Sequence, residues 1–141
     1  MWSKTYTTTT NKVNARQMWQ LLSDVNNWHT WDDGIEYAQM SGAFAQGNFF
    51  TLKPKGAPKV NIRLIEIVEN RKFVDLTRFP LARMYGEHLL EETAQGLKIT
   101  TTMKVEGLLG FLWRKLVAED IAAALPHETE KQIEIASGLP A

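Results

Sequence analysis

From Leu97 to Val105 the side chains alternate without a break. Leu97, Ile99, Thr101, Met103 and Val105 fall on one face, and Lys98, Thr100, Thr102, Lys104 and Glu106 on the other. A period of two predicts a strand with one face on a core and one in water. Less regular runs of β-branched and aromatic residues predict strands over 2–10, 35–43, 47–54, 59–69, 72–79 and 83–93, with the alternating run extending over 96–106. The turns after residue 35 are Ala45-Gln46-Gly47, Lys55-Gly56-Ala57-Pro58, Glu69-Asn70-Arg71, Pro80 and Ala94-Gln95-Gly96. Connections this short suit antiparallel neighbours, so these strands form a meander.

Two stretches switch to helical spacing. In the first, Asn14 is placed to cap a helix and Gln17 to reach back to it, with Val13 and Met18 as the hydrophobic staple. Ala15, Met18, Trp19 and Leu22 then share one face. Ser23, Asp24, Asn26 and Asn27 break the helix, a second short helix or turn carries Trp28 and Trp31, and Asp32-Asp33-Gly34 ends the segment with turn chemistry. The second stretch, Leu108 to Ala136, reads as one long amphipathic helix whose stripe is Leu109, Leu112, Trp113, Leu116, Val117, Ile121, Ala124 and Leu125. At ~1.5 Å per residue it spans about 40 Å, and only a curved sheet built from the preceding strands offers enough apolar surface to receive it. Pro126 predicts a kink or restart. Asp120 falls within the stripe, where a carboxylate either faces a solvated gap or points into a cavity between helix and sheet. The class is α+β, a curved antiparallel sheet of about seven strands around a C-terminal helix, in one domain over 1–141.

Composition narrows the function classes. Lys plus Arg and Asp plus Glu each number 16, so formal charge is zero, which argues against a nucleic-acid partner. The absence of cysteine excludes a disulfide scaffold, thiol chemistry and cysteine zinc sites. The start, MWSKTYTTTT, carries no apolar signal-like core, and the longest apolar run, Gly107 to Trp113, is far short of a membrane span. A cytoplasmic protein is the expectation.

Several segments resemble a known family in order and spacing. Trp28-His-Thr-Trp31-Asp32 with Ile35-Glu36 is similar to a W-x-x-W-D…I-E segment of the polyketide cyclase/dehydrase-like branch of the START/Bet v 1-like (SRPBCC) superfamily. Gly42-Ala-Phe44-Ala-Gln-Gly47, followed by Leu52-Lys-Pro54-Lys-Gly56, resembles that branch's G-x-F-x-x-G…L-x-P-x-G hairpin, although Asn48-Phe49-Phe50 stands where the branch often has glycine. Phe73-Val-Asp75, Pro80-Leu-Ala82, His88, Gly107-Leu-Leu and Ile121 to Pro126 continue the likeness over essentially the whole chain. The resemblance implies the helix-grip fold, with a cavity between sheet and helix for hydrophobic or amphipathic small molecules. It leaves open carrier, cyclase, oxygenase-domain and co-chaperone roles. The oxygenase domains hold iron with two histidines and a carboxylate. Here His29, His88 and His127 are scattered over different elements, so no metal or other cofactor is expected.

The candidate site residues follow from strand alternation. His88 shares a face with Met84, Gly86 and Leu90. If that face is inward, His88 either orients a ligand or moves a proton, or it is a core histidine satisfied by a neighbour such as Asp75. Ile62, Leu64, Leu90, Ile99, Thr101, Met103, Leu112, Trp113 and Leu116 are the expected wall, with Leu97 beside them. Trp28 and Trp31 are expected to plug the core, and Arg63, Arg78 and Arg83 to lie along the solvent face. Three functions compete. One is binding of a hydrophobic small molecule. A second is a metal-independent cyclase or dehydratase using His88 with Asp75 or Asp120 as acid and base. The third is a protein-interaction module, which would show a filled interior and an exposed apolar patch. An edge strand gives a route to a homodimer.

Overall fold

The same alternation runs through most of the strands, with breaks in β2 and β4. The computed structural model describes residues 1–141. Strand β1 (Trp2–Thr10) is followed by helix α1 (Ala15–Leu22) and a 3-10 turn (Val25–Thr30). The meander is β2 (Ile35–Gln39), β3 (Phe49–Pro54), β4 (Val60–Val68), β5 (Lys72–Phe79), β6 (Ala82–Thr93) and β7 (Gly96–Glu106). The C-terminal helix has three parts: α2 (Gly110–Trp113), a π-helical turn (Arg114–Ala118) and α3 (Glu119–Ala136). All seven strands form one antiparallel sheet in the order β1-β7-β6-β5-β4-β3-β2. The sheet wraps around the C-terminal helix, which is the expected helix-grip architecture.

Local chemistry sets the element boundaries. Asn14 Oδ1 accepts from Gln17 N–H at 2.9 Å, and Gln17 Oε1 accepts from Asn14 N–H at 2.9 Å, the reciprocal capping box read from the sequence. The Glu92 carboxylate of β6 accepts from the first helical N–H, Ala15, at 2.7 Å, which also places a negative charge at the positive end of α1. Gln17 is buried and donates through Nε2 to the Leu139 carbonyl at 2.9 Å, tying α1 to the end of the chain. Strand β2 is shorter than expected. The Asn26 side chain takes both backbone groups of Met40, at 2.9 and 3.2 Å, and holds the chain against the 3-10 turn before it can pair further. In β4 an extra residue between Leu64 and Glu66 forms a bulge, after which Ile67 rather than Glu66 packs against the core.

The C-terminal helix departs most from its expected pattern. Its buried positions are Gly110, Ala118, Ala122, Leu125, Thr129, Ile133 and Ala136. Leu112 and Leu116, two members of the expected stripe, are exposed. The π turn, which holds Leu116 and follows Leu112, inserts an extra residue ahead of the regular helix and puts what precedes it out of phase. Asp120 is likewise exposed, so of the two readings of that carboxylate the solvated one holds. The chain continues helically through Pro126, so of the expected kink or restart the restart does not occur, and Pro126 is exposed.

The core has two parts. A main cluster joins Met18, Trp19, Trp28, Trp31, Phe50, Leu64, Phe73, Leu90, Leu97, Ile99 and Ile133. A smaller one joins Met84, Met103 and Val105 of the sheet to Ala118, Ala122 and Leu125 of the helix. Trp28 and Trp31 sit in the main cluster as expected, and Trp28 Nε1 donates to the Leu22 carbonyl at 2.9 Å.

The helix is also clamped electrostatically to the turn before β2. Lys131 Nζ reaches Asp33 Oδ1 at 2.8 Å. Burial raises the Glu128 carboxyl to about 9, helped by a hydrogen bond with Asp32 and the charges of Asp32 and Asp33, and opposed by Lys131. Glu128 is therefore protonated in the folded protein at neutral pH, whereas in the unfolded chain it ionises near 4.5. Its stabilising contribution is complete below the unfolded value and is lost as pH rises toward about 9. Glu128→Gln fixes the neutral form. Thermal melts against pH should show the variant more stable than the wild type at pH 8–9 and equal to it near pH 4. A difference that persists at pH 4 would refute the assignment.

Candidate functional site

Strand register lays the concave face out in rows. Ile62, Thr77, Met84 and Val105 are cross-strand neighbours, as are Leu64, Asp75, Gly86 and Met103, and then Ile67, Phe73, His88, Thr101 and Tyr6. Asp75, Thr77, His88 and Thr101 thus form a polar strip across an otherwise apolar surface. On one side lie Leu64, Phe73, Leu90 and Ile99 of the main core, and on the other Met84 and Met103 of the smaller one. The strip occupies the seam between the two clusters.

The strip is held in a defined geometry. His88 Nε2 lies 3.1 Å from Asp75 Oδ2. The imidazole stacks on Phe73, ring centroids 4.1 Å apart and planes 10° from parallel, which fixes its orientation. Gly86, directly opposite Asp75, makes the pairing feasible. A Cβ at Gly86 would stand 2.7 Å from Asp75 Oδ2 and 2.8 Å from Oδ1, so any side chain there would displace the carboxylate. The His88 and Asp75 side chains retain 22 % and 14 % of their exposure, so solvent reaches both. Next to them Thr77 Oγ1 is fully buried and has no hydrogen-bond partner. A hydroxyl in that state is destabilising unless something else bonds to it.

The other sequence candidates divide. Ile62, Leu64, Leu90, Ile99 and Met103 are buried on the concave face around the strip, and Thr101 is buried within it. Leu112, Leu116 and Asp120 are exposed and do not join it. Trp113 is half-buried away from the strip, stacked on Phe79 at 4.5 Å, with Nε1 donating to the Pro80 carbonyl at 3.0 Å. Arg63, Arg78 and Arg83 lie on the solvent side, and His29 and His127 are exposed. No group of three or more histidine and acidic side chains is arranged to hold a metal ion. Thr77 was missed because a threonine among β-branched strand residues reads as a strand former. Two solvent-facing grooves lie elsewhere. One of about 340 Å³ runs along Thr8–Lys12 beside Glu130, and one of about 380 Å³ lies between Arg78, Leu81 and Leu108. Neither includes His88 or Asp75.

Comparison with known proteins places this geometry in a family. Residues 1–130 match the model described as polyketide cyclase / dehydrase and lipid transport. No curated protein matches the sequence. Among solved structures, protein MLL2253 from Mesorhizobium loti aligns with a TM-score of 0.70 at 11 % identity, over 99 % of this chain and 100 % of that one. Protein jhp0584 from Helicobacter pylori aligns with a TM-score of 0.75 at 11 % identity, over 96 % of this chain and 88 % of that one. The di-domain ARO/CYC StfQ from the steffimycin biosynthetic pathway aligns with a TM-score of 0.76 at 12 % identity, over 95 % of this chain but 50 % of that protein. At these identities the likeness is one of fold.

Two substitutions test the strip. Gly86→Ala should lower stability by about 1–3 kcal/mol through overpacking against Asp75, measured by denaturant unfolding. Thr77→Val, which keeps the shape and removes the orphan hydroxyl, should raise stability by about 1 kcal/mol. A destabilised Thr77→Val would mean that the hydroxyl is already satisfied.

Proposed function

This chain belongs to the polyketide cyclase/dehydrase and lipid transport family, and from that premise we propose that it binds a hydrophobic or amphipathic small molecule between sheet and helix. The molecule's polar group is received by the Asp75–His88–Thr77 strip. The observation that carries this reading is the ordered, partly exposed His88–Asp75 pair at the seam of two apolar clusters. Binding sites of this kind combine apolar walls with a few convergent polar groups. Thr77 Oγ1 adds an unused donor and acceptor at the same place. Ile62, Leu64, Leu90, Ile99 and Met103 supply the apolar contact, and Thr101 lies at the end of the strip.

A second reading rests on the same 3.1 Å contact. A carboxylate that orients an imidazole is the arrangement of a general base, suited to proton abstraction next to a carbonyl and to the cyclisation or dehydration that follows. In that reading His88 moves the proton and Asp75 holds its tautomer. Asp120, exposed on α3, has no part in it.

Native mass spectrometry of the protein purified from its own cells, with identification of any released compound, tests the binding reading. Titration of that compound should then show His88→Ala weakened about tenfold, the loss of one hydrogen bond of ~1.4 kcal/mol. An enzyme would instead lose turnover in His88→Ala while still binding. A protein that retains nothing and ignores a panel of lipids and aromatic polyketides would overturn the binding reading.

A further inference from the structure

The residues that open the C-terminal helix, Leu108 to Trp113, are all apolar or glycine, and Leu116 and Val117 follow after Arg114 and Lys115. Gly110 is buried, and Leu109, Trp113 and Val117 are half-buried toward the sheet. Leu108, Phe111, Leu112 and Leu116 point away from it and are 80 %, 65 %, 39 % and 59 % exposed. Apolar side chains on both sides of a helical turn belong inside a protein or against lipid, and here only one side has protein to meet.

A second chain reversal adds to the same surface. Leu81, 62 % exposed, sits in the β5–β6 turn with φ +56°, a conformation that branched side chains rarely adopt. The turn thus holds a leucine in water at the expense of backbone strain. The two reversals are joined. Leu109 N–H donates to the Leu81 carbonyl at 2.9 Å, Trp113 Nε1 to the Pro80 carbonyl at 3.0 Å, and Trp113 stacks on Phe79. Gly107, at φ +112°, permits the approach, since a Cβ there would lie 2.7 Å from the Leu81 carbonyl oxygen.

We propose that this tip docks on the surface of a bilayer containing anionic phospholipid, with Leu81, Leu108, Phe111, Leu112 and Leu116 entering the acyl boundary. Around them Arg78, Arg83, Arg114 and Lys115 outnumber Glu106, Glu119 and Asp120. Arg83 and Arg114 are held by Glu106 and Glu119 at 2.8 and 2.7 Å, while Arg78 and Lys115 have no ionic partner and are free to meet headgroup phosphates. In a chain of zero net charge this local excess is what an anionic surface selects. A second copy of the chain fits the tip less well. Five exposed side chains fall far below the ~20–30 residues a side of a stable protein interface, yet suffice for shallow insertion. No helix is long and apolar enough to cross a membrane, and the interfacial mode requires none.

Co-sedimentation of the full chain with vesicles of phosphatidylcholine alone, and of phosphatidylcholine with phosphatidylglycerol, tests the proposal. The wild type should partition severalfold more into the anionic vesicles. Leu108→Glu combined with Phe111→Glu should reduce that partitioning about tenfold or more, because charged side chains do not enter the acyl boundary. Both positions are exposed, so the variant's melting temperature should stay near that of the wild type, and Arg78→Glu combined with Lys115→Glu should abolish the anionic preference. The proposal fails if neither vesicle sediments the protein. It fails equally if the glutamate variant binds as well as the wild type, or if light scattering finds a dimer that this variant dissolves, which would assign the tip to a second copy.

Discussion

A sheet with one continuous apolar face must be covered, and in this chain the cover comes from α1, from the C-terminal helix and, over β2 and β3, from Trp28 and Trp31 at the 3-10 turn. Helix α1 covers the part around Phe73 and Leu90 with Met18 and Trp19, joined there by Ile133, while Ala118, Ala122 and Leu125 of the C-terminal helix cover Met84, Met103 and Val105. Burial of that face is the main driving force for the fold, because apolar area removed from water is the dominant favourable term. It also explains why α1 is anchored so heavily, by its capping box, by the Glu92 carboxylate and by Gln17 to the Leu139 carbonyl. Each bond fixes the angle at which an apolar stripe meets the sheet.

Within that covered face the Asp75–His88 pair runs against the dominant force. A carboxylate between two apolar clusters is favourable only when paired, and here the pairing needs three things at once. Gly86 leaves room, Phe73 holds the imidazole flat, and partial solvent access limits the desolvation penalty. A ring stacked at 10° with a carboxylate at 3.1 Å is a rigid arrangement, which is what a recognition or catalytic group requires. The orphan Thr77 hydroxyl points the same way, since a sequence shaped by stability alone would place valine there.

Much of this was legible in the residues, for physical reasons. Strand alternation is strict where one face is buried, so the inward positions of β7 and the shared face of Met84, Gly86, His88 and Leu90 could be read directly. The box at Asn14 and Gln17 was legible because capping is local chemistry. The phase of the C-terminal helix was not. Apolar residues surround its first turns, so periodicity there carries no direction, and the π turn at Arg114–Ala118 shifts whatever phase remains. Leu112 and Leu116 were therefore expected on the wall and stand in water instead. The β4 bulge is a feature of its pairing with β5, and the early end of β2 at Met40 depends on the Asn26 side chain; neither is visible in the alternation of a single strand. The role of Gly86 depends on its cross-strand neighbour, which alternation alone does not identify.

The strand order has a consequence for how the chain comes to be folded. β1 lies at the edge of the sheet and pairs only with β7, Trp2 opposite Val105 and Thr10 opposite Leu97. During synthesis, β1 therefore has no partner until the rest of the sheet has followed it. The hairpins from β2 to β7 can zip in sequence as they emerge, whereas β1 waits for a contact of high sequence separation. Its composition suits the wait. Thr5, Thr7, Thr8, Thr9 and Thr10 give it strand propensity with little apolar surface for other nascent chains to capture. Closure of this edge is the step that separates a half-made meander from a finished domain.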